Sequence, residues 1–153
     1  MQTADRNTQM QMRRIDAMYS EAMLLADEAR AYFDDVGRVD REALEPAVRV
    51  GFSCESLKVT TRLMHVIAWF LTQRAIQAGE LRAGDALDPN RRLGDAPSTG
   101  QPLLDVLPVR ARRLIEASID LHRRVSHMDV AQDAPMVVAS PALTMQKRLA
   151  AAL

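Results

Sequence analysis

The sequence predicts an all-α fold: a three-helix bundle with a long central helix, a long connection between helices 2 and 3, and a flexible C-terminal tail. Three observations predict it. Apolar residues recur at alternating spacings of three and four in three separate stretches, the period of a helix that buries one face. No strand pattern lies between those stretches. The run from Glu55 to Leu81 holds no glycine or proline before Gly79, so nothing interrupts a helix there.

That run sets the architecture. Leu63 to Leu71 is apolar on every side except at His65, and a helix apolar all round must be covered all round. Two stripes can be traced on it. Val50, Cys54, Leu57, Thr61, Met64, Ala68, Leu71 and Ala75 fall at heptad spacing and are assigned to the sides facing helices 1 and 3. Leu63, Ile67 and Phe70, with Val59 and Val66 beside them, form a second stripe. Two stripes need two partners. The economical cover for the second is its own copy in a two-fold homodimer, which puts Leu63, Val66, Ile67 and Phe70 at the dimer interface. Cys54, on the first stripe, is expected to be a buried, inert thiol.

The elements follow in order. Residues 1–12 are polar and aperiodic and are expected to fray. Helix 1 spans 13–36 on the stripe Ile15, Met18, Ala22, Leu25, Ala29, Tyr32 and Val36, and Gly37 stops it. Asp40 is placed to cap a short lead-in turn. Helix 2 begins near Pro46, because proline is tolerated only in a first turn, and ends at Gly79. Gly51 within it predicts close packing against a neighbouring helix. Residues 82–106, rich in Gly, Pro, Asp and Asn, predict neither helix nor strand. So long a connection either returns the chain along the long helix or binds a partner. Helix 3 opens at Leu107-Pro108 and carries Ala111, Leu114, Ser118, Leu121, Val125 and Met128 to near Asp129. The bundle domain is therefore 13–129, and 130–153 is a tail with room for a short helix after Pro141.

Composition narrows the function. The 153 residues suit one domain with a real core. Lys plus Arg equals Asp plus Glu, 20 against 20, so the basic excess of a nucleic-acid binder is missing. One cysteine forms no internal disulfide and fits a reducing cytosol. The polar N-terminus is no secretory signal, and no apolar run approaches the ~20 residues that span a bilayer; the protein is expected to be cytoplasmic. Helix 1 carries three basic and six acidic residues, helix 3 (106–128) five and two, so the two attract. Arg110, Arg112, Arg113, Arg123 and Arg124 form the one basic cluster and are the candidate partner-binding residues. Read as a recognition helix, helix 3 would make a DNA-binding regulator. The connection before it is too long for the three- or four-residue turn of that motif.

No catalytic constellation emerges. His65, His122 and His127 lack zinc-site spacing, no Glu-x-x-His pair marks a metal-carboxylate bundle, and no glycine-rich loop cradles a phosphate. The expectation is a non-enzyme without catalytic, cofactor-binding or metal-binding residues. A metal-dependent bundle enzyme is the weakest of the three readings.

Glu55-Ser56, Thr60-Thr61-Arg62-Leu63-Met64, Ala68-Trp69, Leu71, Gln73-Arg74-Ala75 and Gly79-Glu80-Leu81 together resemble the signature of the RcdA family, the regulators of CtrA degradation. The resemblance is close over helix 2 and holds in outline over helix 1. It implies a dimerising three-helix bundle that acts as a non-enzymatic adaptor. Such an adaptor delivers protein cargo, cell-cycle regulators such as CtrA among them, to the ClpXP protease. It works with the response-regulator-like CpdR and the cyclic-di-GMP effector PopA. His65 and the tail depart from the family pattern. The tail's ending, Leu149, Ala150, Ala151, Ala152 and Leu153, resembles tags that ClpX engages, and is expected to contact the protease.

Overall fold

The computed structural model describes residues 2–133, and its regular elements there are all helical, with no strand among the described residues. In chain order it holds α1 (Gln2–Ala31), a π-helical turn (Tyr32–Val36), α2 (Gly37–Glu42), α3 (Pro46–Gln77), two 3-10 turns (Ala83–Leu87 and Pro89–Arg91), α4 (Gln101–Val106) and α5 (Val109–Ala131). α1, α3 and α5 are the three predicted helices.

α1 starts eleven residues before the predicted Arg13, at Gln2. Its packed face begins only at Ile15 and continues through Met18, Ala22 and Ala29. The periodicity therefore marked the buried part, and a solvated extension precedes it in which residues 9–14 (QMQMRR) are good helix formers. Gly37 does not stop the helix. The chain passes through one π turn into α2, where an added Cβ at Gly37 would lie 2.6 Å from the Tyr32 carbonyl oxygen. Asp40 sits inside α2 instead of capping it, and accepts the Tyr32 hydroxyl at 2.7 Å. Burial, then the hydrogen bond and charge of Asp40, push the Tyr32 phenol well above its ordinary range.

α3 begins with Pro46 in its first turn and ends as predicted. Gly79 adopts φ +76°, the left-handed conformation glycine tolerates, and the Glu80 N–H turns back to the Ala75 carbonyl at 2.9 Å. α1 runs antiparallel to α3. Phe33 meets Phe52 at one end (ring centroids 5.4 Å) and Tyr19 meets Phe70 toward the other (6.5 Å). α5 runs parallel to α3, pairing Ser118 with Arg62 and Asp129 with Trp69. Parallel neighbours need a long return, and residues 82–106 supply it. That segment is more ordered than its composition predicts, with two 3-10 turns and α4, whose Pro102 occupies the first turn. Pro108 precedes α5 as its N-cap and is not its first residue. Leu103 of α4 seats against Gly51, where a Cβ would lie 2.7 Å from Leu103 Cδ1, the close packing expected there.

The core corrects the assignment of stripes on α3. Leu63, Val66 and Phe70 are buried within one chain among Ile15, Met18 and Ala22 of α1 and Leu114, Ile115, Leu121 and Val125 of α5. Ile67 is partly buried against that core. They are not a free dimer face. The stripe assigned to the core is the one left outside, and Cys54 on it is exposed. Both stripes are apolar at helical spacing, so the hydrophobic pattern alone does not rank them. Phe52, Val59 and Trp69 continue the buried set and outweigh the slimmer residues of the other. The predicted protease-contacting residues, Leu149 to Leu153, lie outside the described residues.

Candidate interaction surfaces

α3 presents three faces. One fills the core. The second is a solvent-facing apolar stripe, with Val50 65%, Leu57 68%, Met64 64% and Leu71 50% exposed, and Cys54 among them. Natural monomers seldom leave a contiguous apolar strip of this kind uncovered. The stripe borders two shallow grooves. One, about 350 Å³, lies at the start of α3 between Arg41, Arg49, Val50, Cys54 and Leu57. The other, about 390 Å³, runs between α1 and α3, floored by Ala26, Ala29, Phe33, Leu63 and Ile67, with Arg30 and Asp34 on its rim. A spacing of 3.5 residues is the geometry by which one helix meets another side by side.

The third face is polar, and the sequence reading did not single it out. Gly51, Glu55, Lys58, Arg62, His65 and Trp69 also fall at alternating spacings of four and three. Along them lies the segment from Leu93 to Gly100, without regular secondary structure and antiparallel to α3. We call it the strap. The Nε2–H of His122 on α5 donates to the Gly94 carbonyl at 2.8 Å. Arg62 donates to the Pro97 carbonyl and the Thr99 hydroxyl, both at 2.8 Å, and to Ser118 on α5 at 3.2 Å. Lys58 donates to the Ser98 carbonyl at 2.8 Å and to Glu55 at 2.7 Å. The Thr99 hydroxyl completes the circuit by donating to Glu55 at 2.5 Å.

Glu55 is 0% and Arg62 1% exposed. Burial pulls the Arg62 guanidinium below its ordinary value, and the charge of Glu55 draws it back up. A buried charge persists when it is paired and its remaining donors are satisfied, and strap atoms are among those partners. Gly94 belongs here for space: a Cβ would lie 2.6 Å from His65 Nδ1, a buried atom with no hydrogen-bond partner among the described residues. The signal that finds this face is the heptad row Glu55, Lys58, Arg62 and His65 beside two apolar stripes.

One residue clamps the upstream end of the strap. Arg92 donates to the Asp129 carboxylate at 3.1 Å and to Asp133 at 2.6 and 2.9 Å. Asp129 also accepts the indole N–H of Trp69 at 2.8 Å. Trp69 is thus a core residue with a polar anchor.

The arginine cluster is divided. Arg124 pairs with Glu21 of α1 and Asp120, and Arg123 pairs with Asp120, so the predicted attraction between helices 1 and 3 is made at Glu21. The Glu21 hydrogen bond raises the Arg124 guanidinium, and Arg123 holds the Asp120 carboxyl below its usual range. Arg110 lies over the Tyr32 ring, 5.1 Å from its centroid. Arg113 is exposed and Arg112 half-buried. The five are not one patch: Arg110, Arg112 and Arg113 open α5, and Arg123 and Arg124 lie three turns further on. Among the described residues, no three His, Cys, Asp or Glu side chains are placed to share a metal ion, and no helix is long and apolar enough to cross a membrane.

The fold and these faces define a three-helix bundle with an uncovered apolar stripe on its central helix. The family model described as "Protein of unknown function (DUF1465)" matches residues 6–153. A crystal structure of RcdA from Caulobacter crescentus CB15 matches at 33% identity, over 77% of this chain and 89% of that one, with a TM-score of 0.63. No curated protein matches. The chain belongs to this family, the RcdA family.

Proposed function

We propose that the protein is a cytosolic, non-enzymatic adaptor, a homodimer that brings protein cargo to a ClpXP-type protease. The observation that carries the reading is the exposed heptad stripe of α3, Val50, Leu57, Met64 and Leu71, on the central helix of an RcdA family member. The proposed dimer is sealed by that stripe on each copy, where burying each large side chain contributes about 1.5–3 kcal/mol. Tethering cargo beside a protease raises its local concentration and needs no chemistry. Membership supports the adaptor role, and the partners follow by analogy: ClpX, a response-regulator-type adaptor and a cyclic-di-GMP effector. Arg110, Arg112 and Arg113, the members of the five-arginine cluster without a carboxylate partner among the described residues, are the proposed docking residues of α5. Leu149–Leu153 is the proposed protease contact.

The test is affinity capture of the tagged protein from its own cytosol, with identification of what is recovered. ClpX together with a response regulator supports the reading. Recovery of neither, or of DNA, removes it. A DNA-binding role for α5 is the poorer fit because Arg123 and Arg124 are engaged by carboxylates that a phosphate would have to displace.

A further inference from the structure

We propose that the α3–α5 cleft is a peptide-binding groove that the chain fills with its own strap, and that its partner is an extended peptide of small residues with a proline and a following hydroxyl side chain. The inference goes beyond the adaptor reading and stands on the groove alone. From Gly94 to Thr99, the hydrogen bonds to the cleft run to strap carbonyls and one hydroxyl. His122 takes Gly94, Arg62 takes Pro97, Lys58 takes Ser98, and Arg62 and Glu55 share the Thr99 hydroxyl. Grooves that read extended peptides use this arrangement, with main-chain bonds for affinity and a few side-chain positions for specificity.

The cleft's composition argues the same way. A loop that only sealed the core would be served by apolar contacts. Replacing buried charged groups by packed apolar residues is often neutral or stabilising, yet the buried charges of Glu55, paired with Lys58, and of Arg62 line the floor. Such a floor keeps hydratable groups when Gly94 to Thr99 lift, and Leu93, which packs against the core, marks the upstream limit of the opening. The residues that hold the strap come from α3 and α5, both long, regular helices, so the groove stays formed without it. Two positions set specificity. Gly94 is confined by His65, and position 99 needs a group that both accepts from Arg62 and donates to Glu55.

A tethered strap competes at an effective concentration of about millimolar, so a free peptide binds the resting protein poorly. The test uses a fluorescent peptide of the strap sequence, Leu-Gly-Asp-Ala-Pro-Ser-Thr-Gly. Its binding is measured on the full chain and on a variant whose residues 93–99 are replaced by a Gly/Ser linker of equal length. The variant is expected to bind at least about tenfold more tightly, and adding Arg62→Met or replacing the peptide threonine by valine is expected to abolish the gain. A helical, cooperatively melting linker variant that binds no better than the full chain overturns the proposal. So does a gain that survives both changes. If the linker variant does not fold, Arg92→Ala in the full chain substitutes for it, since it frees the strap's upstream end and leaves the groove residues intact. At least threefold tighter binding is then expected, and no change overturns the proposal.

Discussion

Arg62 on α3 reaches Thr99 of the strap at 2.8 Å, and the Thr99 hydroxyl donates in turn to Glu55, two turns before Arg62 on the same helix. A fully buried arginine and a fully buried glutamate are thus coupled through one hydroxyl of a segment distant in sequence. Removing the arginine leaves Glu55 buried with only Lys58 and Thr99, and strips a donor from Pro97 and from Ser118. Arg62→Ala is expected to cost about 1–3 kcal/mol for each buried acceptor left without its donor. Arg62→Lys is expected to recover little, because one ammonium does not reproduce the fork that spans Pro97, Thr99 and Ser118. Urea denaturation of both variants checks this. A loss under about 1 kcal/mol for Arg62→Ala would mean that water replaces the network at little cost.

Leu57→Asp with Met64→Asp places two charges on the exposed stripe while leaving the core untouched. The expected outcome is a helical monomer by sedimentation. Leu63→Asp instead buries a charge in the core and is expected to unfold the chain, at well over 4 kcal/mol. A Leu57→Asp, Met64→Asp protein that sediments as a dimer would move the interface off α3.

The contrast between these two variants marks where the sequence was readable and where it was not. Helix periods, Pro46 and Gly79 fixed the long helices, since local rules decide those features. The direction of α5 and the choice between two apolar stripes depend on which elements share a core, and periodicity carries no such information. Glu55, Lys58, Arg62 and His65 were visible as a row, yet their meaning lies in carbonyls from a segment some 40 residues away, and only the folded chain brings the two together. Cys54 followed the stripe it sits on and was misplaced with it.

Asp133 gives the clamp a pH dependence. The hydrogen bond from Arg92 holds its carboxyl below the ordinary value. A depressed carboxyl contributes stability that is complete at neutral pH and is lost as pH falls through about 4 and below. Arg92 is held above its ordinary range by Asp133 and then Asp129 and stays charged throughout. Trp69, hydrogen-bonded to Asp129 beside Arg92 and the sole tryptophan, reports the clamp by fluorescence. The wild type is expected to show an acid transition below about pH 4 that Asp133→Asn shifts or flattens. Identical titrations for the two proteins would show that Asp133 does not anchor the strap.

Cys54 turns the proposed interface into a direct measurement. It is exposed in the single chain and lines the groove with Val50 and Leu57, so any partner covering the stripe must cover the thiol. Native labelling with a thiol reagent is expected to be fast at low protein concentration, or in the Leu57→Asp, Met64→Asp variant. In the wild type at concentrations where it dimerises, labelling should slow by at least about tenfold, the protection that a one-in-ten open population gives at 1.4 kcal/mol. Protection that rises with concentration in the wild type and is missing from the variant assigns the interface to this stripe. A rate independent of concentration in a protein that nonetheless sediments as a dimer would leave the stripe free for another partner, and would place the contact between copies elsewhere on the bundle.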